Sequence, residues 1–123
     1  MCIRDRHSTD YQRPESYRNL VRDGFAILKV GPALTFAMRE ALESLSLIET
    51  ELMGPAQSSH LMDVLERVMN ADRRYWEPYY TGDEQAMRLL RRYSYSDRVR
   101  YYWTNPQVKE AVETLLSLSL IHI

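Results

Sequence analysis

The sequence is poor in the residues that hold metals and form disulfides. Its single cysteine is Cys2, and its three histidines are His7, His60 and His122. One cysteine cannot close a disulfide within the chain. Histidines this far apart in sequence lack the spacing of a metal site. We therefore expect no disulfide, no metal site and no cofactor in this chain.

An excess of charge of one sign and long apolar runs are also missing. Sixteen basic residues balance seventeen acidic ones, which gives a net charge of −1 at pH 7. This balance creates no overall field that would favour nucleic acid or an anionic membrane surface. No apolar run is long enough to span a bilayer. Because apolar residues still make up 45% of the chain, we expect a globular, cytoplasmic protein.

The two ends of the chain encode each other. One reverse translation of residues 118–123 reads CTG TCT CTT ATA CAC ATC, and its reverse complement encodes Met-Cys-Ile-Arg-Asp followed by Arg or Ser. The chain begins with that sequence at residues 1–6. Inverted ends of this kind are typical of a sequencing adapter translated in frame. We therefore interpret both ends as adapter-derived and exclude them from fold reasoning. Residues 7–117 remain, and we interpret them as an internal piece of a longer protein. These residues contain no cysteine.

Apolar patterning predicts one strand between two helices. Pro14 suits the first turn of a short helix that ends at Gly24. The nearly continuous apolar run at residues 25–30 predicts a strand buried on both faces, as in a parallel sheet covered by helices. Because one strand cannot form a sheet alone, its neighbours must precede it in the longer protein.

A long amphipathic helix is predicted at residues 33–53, and Gly54 ends it. Its apolar stripe consists of Leu34, Met38, Ala41, Leu42, Leu45, Ile48 and Leu52. Its charged residues, Arg39, Glu40, Glu43 and Glu49, lie mostly away from that stripe. We expect the stripe to pack against a sheet.

Only helices are predicted after residue 54. Ser58 or Ser59 is expected to cap a second helix and Asp83 a third, with an irregular aromatic-rich segment at residues 73–80. Two further short helices are predicted at residues 93–103 and 107–116.

Four stretches of this sequence closely resemble a known family. They are HSTDYQ at residues 7–12, LVRDGFAILKVGPALTFAMREA at residues 20–41, YSYSDRVRYYW at residues 93–103 and VET at residues 112–114. In order and in length they are similar to the non-catalytic subunit of class II D-tagatose-1,6-bisphosphate aldolase. The resemblance covers essentially all of residues 7–117.

The resemblance implies an α/β fold that is the C-terminal fragment of a TIM barrel and is mostly helical as it stands. Residues 7–54 would hold the last βα units and residues 55–117 a helical C-terminal extension. It also implies a subunit that supports the activity and stability of a separate catalytic subunit. That partner would carry zinc and cleave tagatose 1,6-bisphosphate in galactitol or N-acetylgalactosamine catabolism. No catalytic residue is assigned to this chain.

Lys29 and Gly31 follow the predicted strand, at the end where α/β barrels carry their active sites. Lys29 is a candidate cation for a sugar phosphate, and the Gly31 amide and the following helix start would add anion affinity. The alternative is a structural lysine that pairs with a carboxylate inside the barrel.

His7, Ser8 and Asp10 would lie at the same face if another strand ended just before them. His7 and Asp10 could orient a substrate hydroxyl or exchange protons with it. The alternative is a helix-entry loop in which Ser8 or Asp10 caps backbone amides.

Aromatic residues alternate with arginines at residues 73–80 and 91–103. This pattern fits aromatic rings packed inward beneath exposed arginines, and it fits a subunit interface, where Tyr, Trp and Arg are enriched. Single-stranded nucleic acid is a third interpretation, which the balanced charge disfavours. As a whole-chain alternative we retain a helical protein-interaction module without a metabolic role, although such a module has no use for an apolar strand.

Overall fold

The computed structural model describes the backbone of residues 3–122 and the side chains of residues 3–119. Within these residues there are two short strands and five α-helices. Their bounds, in chain order, are β1 Asp5–Arg6, α1 Pro14–Arg22, β2 Ile27–Leu28, α2 Ala33–Met53, α3 Leu61–Ala71, α4 Glu84–Tyr93 and α5 Pro106–His122. The described part of the chain is therefore mostly helical, as expected. No helix within it is both long and apolar enough to cross a bilayer.

The two strands lie side by side and run parallel, with α1 connecting them. Asp5 is opposite Ile27, and Arg6 is opposite Leu28. A parallel strand follows a short helix as predicted, but only Ile27 and Leu28 of the predicted residues 25–30 belong to it. The predicted burial on both faces is wrong in this chain, because Ile27 is 45% exposed and Val30 is 55% exposed. A strand with only one neighbour and no covering helix layer cannot bury its side chains.

Residues 4–6 form backbone hydrogen bonds with residues 26–29, which was not expected of an adapter-derived segment. The Arg4 carbonyl oxygen accepts a hydrogen bond of 3.0 Å from the Ala26 amide, and the Lys29 amide donates one of 2.8 Å to the Arg6 carbonyl. The unpaired edge of β2 needs hydrogen-bond partners, and an extended segment of any sequence supplies them. Ile3 is exposed, as expected, whereas the side chain of Ile121 lies outside the described residues. The adapter origin of both ends remains a prediction.

Helix α2 has the predicted bounds and ends at Gly54, whose positive φ of 75° suits glycine. The face that packs in this chain is rotated away from the predicted stripe and shares only Leu42 and the partly buried Leu45 with it. The buried residues are Arg39, Leu42, Ser46 and Glu49, on the side that contacts α3 and α5. On the predicted apolar stripe, the exposed side chains include Leu34, Met38, Ile48 and Leu52. Most of that stripe is left uncovered by residues 3–119.

The hydrophobic core lies among the helices after residue 54, with one contribution from α2. Its buried members are Leu42, Leu61, Leu65, Val68, Met69, Trp76, Tyr80, Val99, Tyr102, Val108, Ala111 and Leu115. Trp76 is the largest of them, and its indole Nε1 donates a hydrogen bond of 2.7 Å to the Met69 carbonyl oxygen. The indole ring therefore fills the core without leaving its polar group unpaired.

Three predictions about the later helices have different outcomes. Asp83 caps α4 as predicted, since its carboxylate accepts a hydrogen bond of 2.8 Å from the Ala86 amide. Neither Ser58 nor Ser59 caps α3, because the Ser59 amide and hydroxyl both donate to Glu49 instead. Residues 93–103 do not form an α-helix. There the left-handed backbone of Asp97, with φ of 47°, separates α4 from a single 3₁₀ turn at Arg98–Tyr101.

One buried arginine connects α3 to α4. Arg91 is 1% exposed, and its Nη2 donates hydrogen bonds of 2.5 Å to Glu66 and 2.8 Å to Glu84. Its guanidinium also lies 4.6 Å from the centre of the Trp76 ring. Burial raises the pKa of Glu66, but the hydrogen bond and the charge of Arg91, together with a hydrogen bond from Asn70, outweigh that effect and lower the pKa below its ordinary value. The pair is therefore ionised, and its charge is compensated where it is buried.

A second buried arginine connects α2 to the turn before the 3₁₀ segment. Arg39 is 1% exposed and Asp97 is 0% exposed, with 3.6 Å between Arg39 Nε and Asp97 Oδ1. Glu43 lies 3.8 Å from the same nitrogen. Burial of the Glu43 carboxylate raises its pKa, and the nearby Arg39 offsets this only in part. The ionised form of Glu43 is therefore less favourable in the folded protein than in the unfolded chain.

We expect the Glu43→Gln variant to gain stability relative to the wild type as pH rises. The folded pKa of Glu43 lies above its ordinary value of 4.5, so the stability that protonation contributes is present below that value. It is lost as pH rises through the folded pKa. Urea unfolding of both proteins at pH 4 and at pH 7.5 measures the difference. If the Gln variant gains the same free energy of unfolding at the two pH values, or gains more at pH 4, the pKa of Glu43 is not raised in the folded protein.

Candidate ligand site at the carboxyl ends of the strands

Because β1 and β2 are parallel, the segments that follow them leave the same edge of the sheet. The loop after β1, residues 7–12, is called the Asp10 loop below. It lies beside residues 29–31, which follow β2. Within these segments the structure pairs His7 with Lys29 and Asp10 with Gly31, so four of the five residues predicted as site residues make contacts there. The fifth, Ser8, shapes the loop through its backbone.

Lys29 is the cation of this site. Its Nζ lies 2.9 Å from Asp5 Oδ2 and 3.5 Å from His7 Nε2. His7 Nε2 is itself 3.2 Å from the same Asp5 oxygen. Lys29 lowers the pKa of Asp5 through its hydrogen bond and its charge. In this chain Lys29 has the carboxylate partner of the structural alternative, although that partner belongs to the residues expected to be adapter-derived.

Asp10 and Gly31 form the closest contact of the site. The Gly31 amide donates a hydrogen bond of 2.5 Å to Asp10 Oδ2. A Cβ atom added to Gly31 would lie 2.7 Å from that oxygen, so any other residue would displace the carboxylate. The other carboxylate oxygen, Oδ1, is buried and has no hydrogen-bond partner among the described residues. Asp10 therefore uses one oxygen to cap a backbone amide and keeps one acceptor free.

Ser8 and Thr9 fix the backbone of the Asp10 loop. Ser8 has a positive φ of 54°, which turns the chain after β1. Thr9 is 0% exposed, and its amide and its hydroxyl each donate a hydrogen bond of 3.1 Å to the Lys29 carbonyl oxygen. The Tyr17 hydroxyl donates one of 2.5 Å to the Thr9 carbonyl oxygen. Thr9 was missed because a threonine in a polar loop gives no sequence signal of burial.

Tyr11 connects the Asp10 loop to distant parts of the chain. Its hydroxyl donates a hydrogen bond of 2.8 Å to the Tyr95 carbonyl oxygen. Its ring centre lies 5.5 Å from that of Tyr95 and 6.2 Å from that of Phe36. Burial raises the pKa of the Tyr11 hydroxyl, with further contributions from the negative charges of Asp10 and Asp97. The hydroxyl is therefore a neutral donor at physiological pH.

The aromatic and arginine-rich segments divide into a packed part and an exposed part. Trp76, Tyr80 and Tyr102 are buried in the core, as the packing interpretation predicts, but its exposed arginines are wrong at Arg91, which is 1% exposed. Tyr79 is 62% exposed beneath Arg98, whose guanidinium carbon lies 3.6 Å from the ring centre. Exposed tyrosines beside arginines fit the interface interpretation, so each interpretation describes a different subset of these residues.

The site offers groups that suit a hydroxylated anion. Lys29 and His7 supply a cation and a second nitrogen, and Asp10 Oδ1 supplies an acceptor for a hydroxyl group. Within residues 3–119 there is no group of three His, Cys, Asp or Glu side chains placed to hold a metal ion.

Comparison with known proteins supplies a family. Residues 1–121 match the family described as D-tagatose-1,6-bisphosphate aldolase subunit GatZ/KbaZ-like. The chain is also similar to a crystal structure from Sinorhizobium meliloti 1021, described as a probable tagatose 6 phosphate kinase, with 53% sequence identity and a TM-score of 0.86. That match covers 91% of this chain and 29% of the other, so this chain spans less than a third of the length of that protein. The chain therefore belongs to the GatZ/KbaZ-like family of D-tagatose-1,6-bisphosphate aldolase subunits.

Proposed function

We propose that this chain is the C-terminal part of a TIM-barrel subunit. Three observations support the proposal. The β1–α1–β2 unit is parallel, as in every unit of such a barrel. Helix α2 exposes an apolar stripe that a further sheet would cover. The similar protein from S. meliloti is more than three times as long as the matched region, so its length allows for further βα units.

The function proposed for the whole subunit is to support a separate catalytic subunit of tagatose-1,6-bisphosphate aldolase. The observation that supports this proposal is the membership of the chain in the family. The catalytic subunit would hold the zinc, since the described residues of this chain offer no metal site. The reaction would belong to galactitol or N-acetylgalactosamine catabolism in the cytoplasm. In this account the present chain is itself non-catalytic.

A sugar phosphate is the proposed ligand of the strand-end site. The supporting observations are the contact between Lys29 and His7 and the contact between Asp10 and Gly31, both in the segments that follow the parallel strands. The Lys29 ammonium would contact the phosphate, and Asp10 Oδ1 would accept a hydrogen bond from a sugar hydroxyl. The Gly31 amide is occupied by Asp10, so its proposed role is to place the carboxylate rather than to bind phosphate directly.

The description of the S. meliloti protein raises a second candidate, a kinase acting on tagatose 6-phosphate. Both descriptions concern phosphates of tagatose, so both agree with the proposed ligand class. They differ in the reaction. A kinase transfers a phosphoryl group from a nucleotide, whereas an aldolase complex cleaves a carbon–carbon bond without one.

We expect the full-length subunit, added to its catalytic subunit, to raise the rate of tagatose 1,6-bisphosphate cleavage and to lengthen the half-life of that activity at elevated temperature. The full-length subunit alone should show neither cleavage nor ATP-dependent phosphorylation of tagatose 6-phosphate. A coupled assay for triose phosphates and an assay for ADP release measure the two reactions. ADP release that depends on tagatose 6-phosphate would favour the kinase, and no effect on the catalytic subunit would contradict the proposal.

In the full-length subunit, Lys29→Met should weaken sugar-phosphate binding without lowering the melting temperature. Loss of a hydrogen bond to a charged group, roughly 1.5–3 kcal/mol, corresponds to about a tenfold to hundredfold loss of affinity. Gly31→Ala should weaken binding as well, because its methyl group displaces Asp10. Lys109→Met is the matched control, since Lys109 is exposed on α5.

Calorimetric titration with tagatose 1,6-bisphosphate and thermal melting, measured on the same variants, separate the two roles of Lys29. A lower melting temperature with unchanged affinity would establish the structural role. Unchanged values for both would place Lys29 outside the ligand site.

A further inference from the structure

The Asp10 loop has a backbone that needs external support. Ser8 and Tyr11 both have left-handed φ angles, of 54° and 60°. Residues with a Cβ atom rarely adopt this conformation, and it persists only where the surrounding structure holds it. The bonds from Thr9 to Lys29 hold the first half of the loop. The second half, which carries Asp10 and Tyr11, requires a different support.

That support comes from a turn 84 residues away in sequence, residues 94–97, called the Tyr95 turn below. The Tyr11 hydroxyl donates to the Tyr95 carbonyl oxygen at 2.8 Å. The Tyr95 ring packs against the rings of Tyr11 and Phe36, with centres 5.5 Å and 5.0 Å apart. Phe36 lies in the first turns of α2, which follows the site directly. Three rings from three segments thus meet behind Asp10.

The Tyr95 turn is anchored to the helical core. Arg39 Nη2 donates a hydrogen bond of 3.4 Å to the Ser94 carbonyl oxygen, and Arg39 also pairs with Asp97. The Tyr80 and Ser96 hydroxyl oxygens lie 3.2 Å apart, within hydrogen-bond distance. Because Arg39, Tyr80 and Asp97 are all buried, the turn has a fixed position relative to α2. A fixed turn can hold the strained loop in a fixed place.

We propose that Tyr95 is a positioning residue for the strand-end site. Through Tyr11 it holds the Asp10 loop against Gly31 and so fixes the direction of the free Asp10 oxygen. The helical region after residue 54 therefore acts on the site as well as on its own core. The consequence for ligand binding rests on the proposed function, whereas the positioning of the loop does not.

Hydrogen exchange of the Thr9 and Gly31 amides in the 123-residue chain tests the proposal. These amides donate to Lys29 and to Asp10, so they report loop placement without any ligand. Tyr95→Ala removes the ring contacts and should accelerate their exchange by about twofold to tenfold. Tyr11→Phe removes only the hydroxyl and should accelerate exchange over a similar range. Amides of α3 should exchange at the wild-type rate in both variants.

Tyr93→Ala is the matched control, because Tyr93 is 55% exposed and lies two residues before Tyr95. It should leave the Thr9 and Gly31 amides unchanged. The proposal is overturned if these amides are unprotected in the wild type while α3 is protected. It is also overturned if Tyr95→Ala and Tyr11→Phe leave them unchanged, or accelerate exchange only together with α3.

A second measurement separates this proposal from the proposed function. In the full-length subunit, Tyr95→Ala should weaken binding of tagatose 1,6-bisphosphate by a similar factor. If the wild-type subunit does not bind that ligand, the proposed ligand is wrong, while the exchange result still decides whether Tyr95 positions the loop. If the ligand binds and exchange accelerates but affinity is unchanged, Tyr95 does not position the site for its ligand, and this proposal is overturned.

Discussion

The ion pair between Arg39 and Asp97 is the contact on which the arrangement of this chain depends. It joins α2, which follows directly after the strand-end site, to the turn that leads into the C-terminal helices. Both side chains are almost fully buried. Removing two charges from water is costly. In this pair the charges attract each other across 3.6 Å, without a hydrogen bond to either Asp97 carboxylate oxygen among the described residues. Such a pair specifies one relative placement of the two segments, because displacement would leave either charge buried and unpaired.

The other features follow from that placement. With the Tyr95 turn fixed against α2, the Tyr95 carbonyl oxygen accepts the Tyr11 hydroxyl and the three aromatic rings meet. The Asp10 loop can then keep its left-handed residues. The core around Trp76 stabilises the helices independently of the strands. The chain therefore combines a helical body that buries its own apolar residues with a small β–α–β unit that remains open on one side.

Sequence patterns predicted the positions of helices and strands better than the burial and the partners of their side chains. The bounds of α2, the Asp83 cap and the parallel strand after α1 follow from local rules of periodicity, capping and apolar runs. The packed face of α2 did not follow, because periodicity identifies an apolar stripe but not which part of the helix surface finds a partner within the chain. Arg39 and Glu49 were assigned to the side of the helix away from the apolar stripe. They are buried because Arg39 forms an ion pair with Asp97 and because Glu49 accepts hydrogen bonds from Ser59. Those partners lie 58 and 10 residues away, and no local pattern reveals them.

The candidate site shows the same division. His7, Asp10, Lys29 and Gly31 were expected together because parallel strands end at one edge of a sheet. The structure pairs Lys29 with His7 and Asp10 with Gly31, and a shared ligand site remains a prediction. Thr9, Tyr11 and Tyr95 were not expected, since their roles depend on hydrogen bonds across 20 and 84 residues. A double-mutant cycle on Arg39→Met and Asp97→Leu, measured by urea unfolding, tests the central contact most directly. We predict a coupling free energy above about 1 kcal/mol. Single-variant effects that add to within about 0.5 kcal/mol would contradict the account.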